Sequence, residues 1–357
     1  MKIGIDIQST LGNKTGLGYY TSNLVQQLVK IDQENEYVFF NNGRQNDLRT
    51  LKGLFWDQVS LPFKAKNKKV DLIHKPAFSA PVLSHCKVVM TLHDLISIRF
   101  PENNRFVSGI YWRKWLPYTA KKVEFIITVS RYSKDEILDT LKIPDEKIEV
   151  IYEGIDTQKY RILESSKQLM NFKDKYKIDS KFILYVGSIE RRKNINSLIK
   201  AFKILKQENK TDRKLVLVGK RTNYADELFQ EIKGLLLEKE VIYLGYVKEK
   251  ELPIIYNLAE VFVYPSLYEG FGLPILEAMA CGAPVVASKA TSIPEVVGDA
   301  GLLIDATNVE ELANAINLVI TDDDLRTQLV EKGLKQVDKF SWERTARETL
   351  DVYSRFK

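Results

Sequence analysis

Two carboxylates eight residues apart, Glu269 and Glu277, could bind a sugar or ribose, because a carboxylate accepts hydrogen bonds from neighbouring hydroxyl groups. The chain between them begins with Gly270, Phe271, Gly272 and Leu273. Two glycines so close together interrupt both helical and strand periodicity, so they predict a loop. The backbone N–H groups of such a loop can hold an anion, and the stretch therefore predicts a sugar-nucleotide site. A solvated helix and a simple turn would explain a single glutamate, but they explain the two glutamates together with the glycine-rich loop less well.

The flanking residues predict the elements that hold this loop. Val261–Tyr264 is a short apolar run typical of a buried strand, and Pro274 suits the first turn of a helix, where its missing N–H costs nothing. Val285–Ala287 predicts the next strand. In the order strand, loop, helix, strand, the N-terminus of the helix directly follows the loop. That end of the helix dipole carries about half a positive charge, which favours an anion at the loop.

A second polar loop follows the apolar run Phe182–Val186 and contains three consecutive cations, Arg191, Arg192 and Lys193. In open parallel sheets, ligands bind beyond the carboxyl ends of the strands. Cations at that position suit a diphosphate. Ordinary loop solvation is the alternative, and the position at a strand end argues against it.

The first half of the chain repeats part of this pattern. A strand at Lys2–Ile7, a glycine-rich loop and a helix to about Ile31 form another anion-site arrangement, without the G-x-G-x-x-G spacing of a dinucleotide fold. His74 and His93 each lie at the end of a predicted strand. A single histidine is usually structural, and we favour that explanation for His74.

The segments YEGFGLPILEAMACGAPVVAS and IPEVVGDAG resemble the signature of the retaining glycosyltransferases of family 4, whose E-x7-E motif the two glutamates match. The resemblance covers nearly the whole chain. It implies the GT-B fold, with two doubly wound, Rossmann-like α/β domains facing across a cleft. The expected domains are residues 1–160 on the acceptor side, residues 161–340 on the donor side, and a helix at residues 341–357 that crosses back to the first domain.

The resemblance also implies a role for each matched residue. Lys193, Glu269 and His93 are the expected catalytic residues, and Glu277 is expected to hold the ribose. The remaining positions expected at the donor are Gly16, Arg192, Tyr246, Val247, Gly270, Phe271, Gly272 and Leu273. Ser188 stands where the family has an arginine, which leaves Arg192 as the candidate for the second cation.

Strands alternating with helices predict parallel sheets covered on both faces. Residues 41–69 are expected to be rich in loops, and Glu153–Ser166 is expected to link the domains. Asp322 and Asp324 resemble a metal-binding D-x-D only superficially, since Thr321 and Asp322 suit the cap of the helix that follows. We therefore expect no metal, and no cofactor besides the nucleotide sugar.

The bulk composition of the 357 residues suggests about two domains of an ordinary globular protein. Two cysteines give no disulfide framework and fit a reducing cytoplasm. Residues 1–165 hold 24 Lys plus Arg against 19 Asp plus Glu, an excess of +5 within the net +6 of the chain. This excess favours an acidic partner of the first half, although a solvated surface would also explain it.

The stretch Arg105–Lys122 mixes five aromatic residues with five cations. A basic, aromatic helix can lie in a membrane interface, or it can pack its tryptophans into the first domain, and the sequence leaves both explanations open. No apolar run approaches the ~18 residues of a membrane span. The expected location is the cytoplasm, with attachment to the inner face of the membrane as the alternative.

The predicted reaction moves a hexose, with a weak preference for mannose, from a nucleotide diphosphate sugar to the hydroxyl of a sugar or lipid-linked acceptor, with retention of configuration. The expected setting is bacterial polysaccharide or glycolipid synthesis, without nucleic acid. The alternatives are an epimerase or phosphorylase of the same fold, and a sugar-nucleotide-binding subunit without turnover.

Overall fold

The computed structural model describes residues 1–12, 16–43, 51–100, 114–178 and 181–357. The chain divides into two compact units. Unit 1 comprises Met1–Gly154 and Phe340–Lys357, and unit 2 comprises Ile155–Lys339. The C-terminal segment therefore belongs to the same unit as the first strand.

Unit 1 is built on a six-stranded sheet in the order β2-β1-β3-β4-β5-β6. All pairings in it are parallel. Its strands are β1 Lys2–Asp6, β2 Glu36–Phe40, β3 Leu72–Lys75, β4 Lys87–Thr91, β5 Phe125–Thr128 and β6 Ile148–Val150. The winding direction changes between β1 and β3, which are neighbours in the sheet.

The described helices of unit 1 are α1 Gly16–Ile31, α2 Leu51–Phe55, α3 Leu61–Lys68, α4 Ile96–Arg99, α5 Leu116–Lys122, α6 Arg131–Leu141 and, at the end of the chain, α15 Trp342–Ser354. The last helix packs on α1. Just before it, the chain passes very close to Gly154, where an added Cβ would stand 2.1 Å from the backbone nitrogen of Trp342. Only glycine allows this approach.

The expectation of a loop-rich segment at residues 41–69 is wrong for residues 51–68, which are helical throughout. A π-helical turn, Trp56–Ser60, joins α2 to α3. Leu61 and Ala65 are buried with Trp56 against β2 and β3. The same segment also has exposed apolar residues, Phe55, Val59 and Phe63, so its apolar residues lie on more than one face and obscure the helical spacing.

Unit 2 is built on a second six-stranded parallel sheet, in the order β12-β11-β10-β7-β8-β9. Its strands are β7 Phe182–Val186, β8 Lys214–Val218, β9 Val241–Gly245, β10 Val261–Tyr264, β11 Val285–Ser288 and β12 Gly301–Ile304. β7, β10 and β11 are buried along their whole length, as strands covered on both faces must be.

The described helices of unit 2 are α7 Ser166–Tyr176, α8 Ile195–Gln207, α9 Ala225–Gly234, α10 Leu252–Leu258, α11 Leu273–Ala280, α12 Ile293–Val297, α13 Val309–Thr321 and α14 Asp323–Val337. They alternate with the strands along the chain. The two predicted doubly wound α/β domains are thereby confirmed.

The basic, aromatic stretch Arg105–Lys122 is described only in part, because residues 105–113 lie outside the described residues. In α5, Leu116 is buried, whereas Tyr118 is 46% exposed. Both lysines at the end of α5 are exposed. None of the helices within the described part of the chain has the length and apolar character needed to cross a membrane.

Candidate functional site

The main candidate site lies in unit 2, where the sheet changes its winding direction. β7 and β10 are neighbours there although they are far apart in the sequence. Ligands of doubly wound sheets bind at this point, beyond the carboxyl ends of the strands. The loop after β7 carries Arg192 and Lys193, and the loop after β10 carries Glu269. The structure therefore brings the predicted cations and the first predicted glutamate to one place.

Direct hydrogen bonds tie the two loops together. The Leu267 N–H donates to the carbonyl oxygen of Arg192 at 2.8 Å. The Asn194 side-chain amide donates to the carbonyl of Pro265 at 3.2 Å and to that of Ala306 at 2.7 Å. Asn194 has a left-handed backbone, φ 54°, which an asparagine tolerates and which turns the chain directly into α8. These hydrogen bonds therefore hold the backbone of the loop that carries the two cations.

Glu269 is the shared partner of both cations. Its Oε1 accepts a hydrogen bond from Lys193 Nζ at 2.5 Å, and its Oε2 accepts one from Arg192 Nη1 at 3.2 Å. Lys193 Nζ also donates to the Tyr264 hydroxyl at 2.8 Å, and Arg192 Nε lies 2.9 Å from Glu190. Lys193 and Glu269 are each only 7% exposed. The cluster thus places buried Lys193 and half-buried Arg192 on one buried carboxylate, with Glu190 nearer to solvent.

The electrostatics of the cluster follow from that composition. Burial alone would raise the pKa of the Glu269 carboxyl, but Lys193 and Arg192 outweigh burial and lower it to about 2. Burial lowers the pKa of the Lys193 ammonium, against the attraction of Glu269. An anion that approaches Lys193 would favour its charged form, so the cluster is suited to receive one.

Residues after β11 hold the backbone of the glutamate loop, and sequence reasoning missed them. The Glu269 N–H donates to Thr291 Oγ1 at 3.0 Å. Ser292 Oγ donates to the carbonyls of Glu269 and Phe271, both at 2.9 Å. Both residues lie beyond the carboxyl end of β11, the strand next to β10, and they could have been predicted from that position.

The predicted strand, loop and helix around Gly272 are confirmed. Gly272 has φ 126°, a conformation that favours glycine, and it directly precedes α11. Pro274 lies in the first turn of that helix. The Ile275 N–H donates to the Gly272 carbonyl at 3.0 Å, whereas the first N–H groups of a helix have no acceptor within the helix itself. The structure thus has the elements of the predicted site, and their use to bind an anion stays a prediction.

Glu277 lies in α11 in a different environment from Glu269. Its Oε2 accepts a hydrogen bond from the Tyr256 hydroxyl of α10 at 2.8 Å. Burial raises the pKa of the Glu277 carboxyl, against the hydroxyls of Tyr160 and Tyr256. The structure thus groups the second glutamate with tyrosines and the first with cations.

The remaining predicted donor residues of unit 2 follow β9. Tyr246 is 72% exposed, whereas the next residue, Val247, is 2% exposed. Gly245 has a positive φ of 68° at the end of the strand, which turns the chain there. The use of backbone groups at this position stays a prediction.

His93 follows β4 in unit 1, and its ring is held on one side. His93 Nδ1 lies 3.0 Å from Glu153 Oε1, and both side chains are buried. Ser133 Oγ donates to the His93 carbonyl at 2.9 Å, and the Tyr20 ring meets the imidazole edge-on at 4.5 Å between centroids. His93 Nε2 is buried and has no hydrogen-bond partner among the described residues. Sequence reasoning assigned Glu153 to the linker, although it too lies just beyond a strand end.

The other histidine of interest, His74, is paired on both nitrogens. Nδ1 lies 2.5 Å from the Tyr353 hydroxyl of α15, and Nε2 lies 2.7 Å from Thr91 Oγ1. Burial lowers the pKa of His74 to about 3, so its ring is neutral. Gly16 is the first residue of α1, and no described atom lies within 4 Å of a Cβ built on it.

Within the described residues, no three His, Cys, Asp or Glu side chains are grouped to hold a metal ion. Asp322 caps α14 as expected, because its Oδ1 accepts the Leu325 N–H at 2.8 Å. The expectation that Thr321 shares this cap is wrong, because Thr321 is the last residue of α13 and its hydroxyl donates to the carbonyl of Asn317 at 2.8 Å. The structure accordingly places Asp322 in a helix cap.

Comparison with known proteins decides the family. The model "Glycosyltransferase Family 4" matches residues 16–159, and "Glycosyl transferases group 1" matches residues 167–336. The O-antigen chain mannosyltransferase B of Escherichia coli is 32% identical over 94% of this chain and 89% of its own length. The chain belongs to glycosyltransferase family 4. The resemblance read from the E-x7-E stretch is thereby confirmed.

Two further similarities place this glycosyltransferase among its relatives. The serotype-specific mannosyltransferase WbdA of Escherichia coli is 32% identical over 75% of this chain, which spans 33% of that longer protein. The crystal structure of Anabaena HepE in complex with UDP-glucose has a TM-score of 0.79, with 22% identity over 99% of this chain and 100% of that chain. The structural likeness supports the predicted GT-B fold.

Proposed function

We propose that this glycosyltransferase moves a hexose, with mannose favoured, from a nucleoside diphosphate sugar to a hydroxyl acceptor, with retention of configuration and without a metal. The two mannosyltransferases among its relatives support the sugar, and the O-antigen named for one of them, mannosyltransferase B, supports a bacterial polysaccharide or glycolipid as the acceptor. The UDP-glucose bound to the HepE structure supports a nucleotide sugar as the donor.

The observation that carries the proposal is the pairing of Lys193 and Arg192 with Glu269 at the winding reversal of the sheet. A donor diphosphate placed there would draw both cations and would release Glu269 to accept sugar hydroxyls. As the bond to the sugar breaks, negative charge grows on the leaving diphosphate. Fixed cations and the first amides of α11 would stabilise this charge, which is electrostatic catalysis by groups already in position.

The other site residues take complementary roles in this proposal. Glu277 holds the ribose, and backbone groups of Tyr246 and Val247 hold the nucleobase. The amides from Gly270 to Leu273 complete the diphosphate site. In unit 1, His93 binds a hydroxyl near the reacting sugar and Gly16 admits the donor phosphate or the acceptor. Unit 2 is accordingly the donor side of the enzyme and unit 1 the acceptor side.

The exposed face of α5 supports a location at an anionic membrane surface. Tyr118, Lys121 and Lys122 are exposed on it, and the charge excess lies in the same part of the chain. A lipid-linked acceptor would be presented at such a surface. The nucleotide sugar is a cytoplasmic substrate, so we place the enzyme on the cytoplasmic side.

The test begins with a thermal-shift screen of GDP-mannose, UDP-glucose and their free diphosphates on the purified protein. The donor should raise Tm, since binding only to the folded state stabilises it. Transfer with the selected donor should then survive excess EDTA, because Lys193, Arg192 and backbone amides supply the positive charge. Loss of transfer in EDTA that Mg²⁺ or Mn²⁺ restores would contradict the metal-free assignment.

Product analysis separates the competing functions. Incubation with donor alone should give slow hydrolysis at most and no epimerised sugar, whereas an epimerase would convert the donor without an acceptor. A protein that binds the donor and yields neither hydrolysis nor transfer with any acceptor would instead be a binding subunit. The anomeric configuration of the product, read by NMR, tests retention.

A further inference from the structure

Glu153 and His93 form a buried pair that the sequence pattern does not reveal. Glu153 is 7% exposed and His93 is 6% exposed, and their contact of 3.0 Å joins Oε1 to Nδ1. The two residues are 60 positions apart and follow different strands, β6 and β4. The fold therefore brings a carboxylate to one specific nitrogen of this imidazole.

The chemistry of the pair determines the form of the imidazole. A carboxylate only accepts hydrogen bonds, so Nδ1 must carry a proton to bind Glu153. In a neutral ring the other nitrogen, Nε2, then presents a lone pair. Nε2 is buried without a hydrogen-bond partner in the described residues. Such atoms are rare in folded proteins, and one at a strand end of an open α/β sheet points to a ligand.

The rest of the ring's surroundings fix its orientation without competing for Nε2. Tyr20 meets it edge-on at 4.5 Å, and the Phe78 ring lies 6.3 Å away between centroids. Tyr20 is itself held by the Trp342 ring at 5.8 Å and by Thr91, whose hydroxyl lies 3.4 Å from its own. Apolar edges and a buried tyrosine therefore support the ring while Glu153 supplies its one charged contact among the described residues.

We propose that Glu153 is a positioning residue that holds His93 in the Nδ1–H tautomer, so that Nε2 accepts a hydrogen bond from a substrate hydroxyl. The hydroxyl belongs to the transferring sugar or to the acceptor. This inference rests on the proposed function for the identity of the substrate, but the tautomer itself does not depend on it. No proton leaves the pair in this role.

Nitrogen-15 NMR of the histidines tests the tautomer directly. The chain has three histidines, His74, His85 and His93, and substitution to Gln assigns each signal. His93 should show a protonated Nδ1 and an unprotonated Nε2, whereas exposed His85 should show the tautomer mixture of a free imidazole. Glu153→Ala should return His93 to a mixture. A wild-type His93 with its proton on Nε2, or on both nitrogens, would overturn the proposal.

Kinetics of matched variants test whether the positioning matters. Glu153→Ala should lower kcat/KM about 10- to 100-fold, the usual effect of losing a hydrogen bond to a charged group. Glu153→Gln keeps an acceptor oxygen and should keep the tautomer and most of the activity. Glu136→Ala is the control, because Glu136 is equally buried in unit 1 but pairs with Arg99 at 2.7 Å.

Donor hydrolysis and transfer distinguish the two hydroxyl sources. If Nε2 holds the transferring sugar, Glu153→Ala slows hydrolysis of the donor and transfer alike. If it holds the acceptor, hydrolysis is unchanged and transfer falls. A Glu153→Ala protein with wild-type tautomer and wild-type rates would overturn the inference. A wild-type enzyme with the stated tautomer that binds no nucleotide sugar would instead overturn the proposed function.

Discussion

Glu269 and Glu277 lie on one loop and one helix, yet their partners suit them to different parts of a donor. Glu269 is held by two cations, whereas Glu277 is held by the Tyr256 hydroxyl. In the proposed function, the cations around Glu269 bind the donor diphosphate and Glu269 itself faces the attached sugar. Glu277, beside a tyrosine hydroxyl, faces the uncharged ribose in the same proposal.

We expect the two alanine variants to fail in different ways. The ribose does not change during transfer, so Glu277→Ala should raise the donor KM by roughly ten- to a hundredfold, about 1.5–3 kcal/mol, and weaken the free nucleoside diphosphate equally. The transferring sugar gains positive character, so Glu269→Ala should lower kcat and leave diphosphate affinity nearly unchanged. Calorimetry with the diphosphate and donor kinetics measure both effects.

Glu227→Ala is the matched control for these variants. Glu227 pairs with Arg191, the neighbour of Arg192, but lies exposed on α9. It should leave binding and rate unchanged. Diphosphate affinity that falls in Glu269→Ala and persists in Glu277→Ala would reverse the two roles. No change in either variant would mean that the constellation only shapes a turn.

At this scale the sequence predicts the residue types and their strand-end positions, because both follow from local patterns. It does not predict their pairing. Lys193 and Glu269 are 76 residues apart, and Glu153 and His93 are 60 apart. Such contacts are set by the order of strands in a sheet, which local periodicity does not contain.

At the scale of the elements, a buried ion cluster joins the helical segment at residues 51–68 to the sheet of unit 1. Lys75, at the end of β3, donates to Asp6 at the end of β1 and to Asp57 in the π-helical turn. Lys75 is 1% exposed, and Trp56 Nε1 also donates to Asp6 at 3.0 Å. The cluster lies where this sheet changes its winding direction. At the corresponding point of the unit 2 sheet stands the loop that carries the cations of the candidate site.

Removal of the lysine should therefore destabilise unit 1. Burial lowers the pKa of the Lys75 ammonium, but the two carboxylates outweigh burial and raise it, so the group is charged. Lys75→Met would leave both carboxylates without their cation, and breaking a buried ion pair costs roughly 3–5 kcal/mol. Urea unfolding measures the loss of free energy of unfolding.

Lys68→Met, on an exposed position of α3, is the control for Lys75→Met. It removes the same charge and should change the free energy of unfolding by less than about 0.5 kcal/mol, as most surface substitutions do. Equal stability of the two variants would show that the cluster does not hold the segment. The sequence does not reveal this anchor, because Lys75 is 18 residues from Asp57 and 69 residues from Asp6.

For the molecule as a whole, the charge excess of the first half and the exposed lysines of α5 predict binding to an anionic surface. Cosedimentation with anionic vesicles should be strong at low salt and weaken as ionic strength rises, because charges are screened beyond about 10 Å at 0.1 M. Reversal of Lys121 and Lys122 to Glu should weaken it further.

Lys332→Glu with Lys335→Glu, on exposed positions of α14 in unit 2, makes the same change of net charge away from α5. This control should retain more vesicle binding than the α5 variant. Equal losses would indicate a general charge effect. Failure of the wild-type protein to cosediment at low salt would leave α5 as a packing helix and favour a soluble acceptor.

Because Gly154 lies against the backbone of Trp342, the chain departs from unit 1 and rejoins it at almost the same spot. In the sequence, unit 2 is thus inserted between the two segments that form unit 1. Contiguous ends of this kind are what domain insertion tolerates best. Chimaeras that exchange the insert between family members, with crossovers next to residues 154 and 340, would leave both cores uncut. Under the proposed function, such an exchange would transfer donor choice while unit 1 keeps the acceptor site.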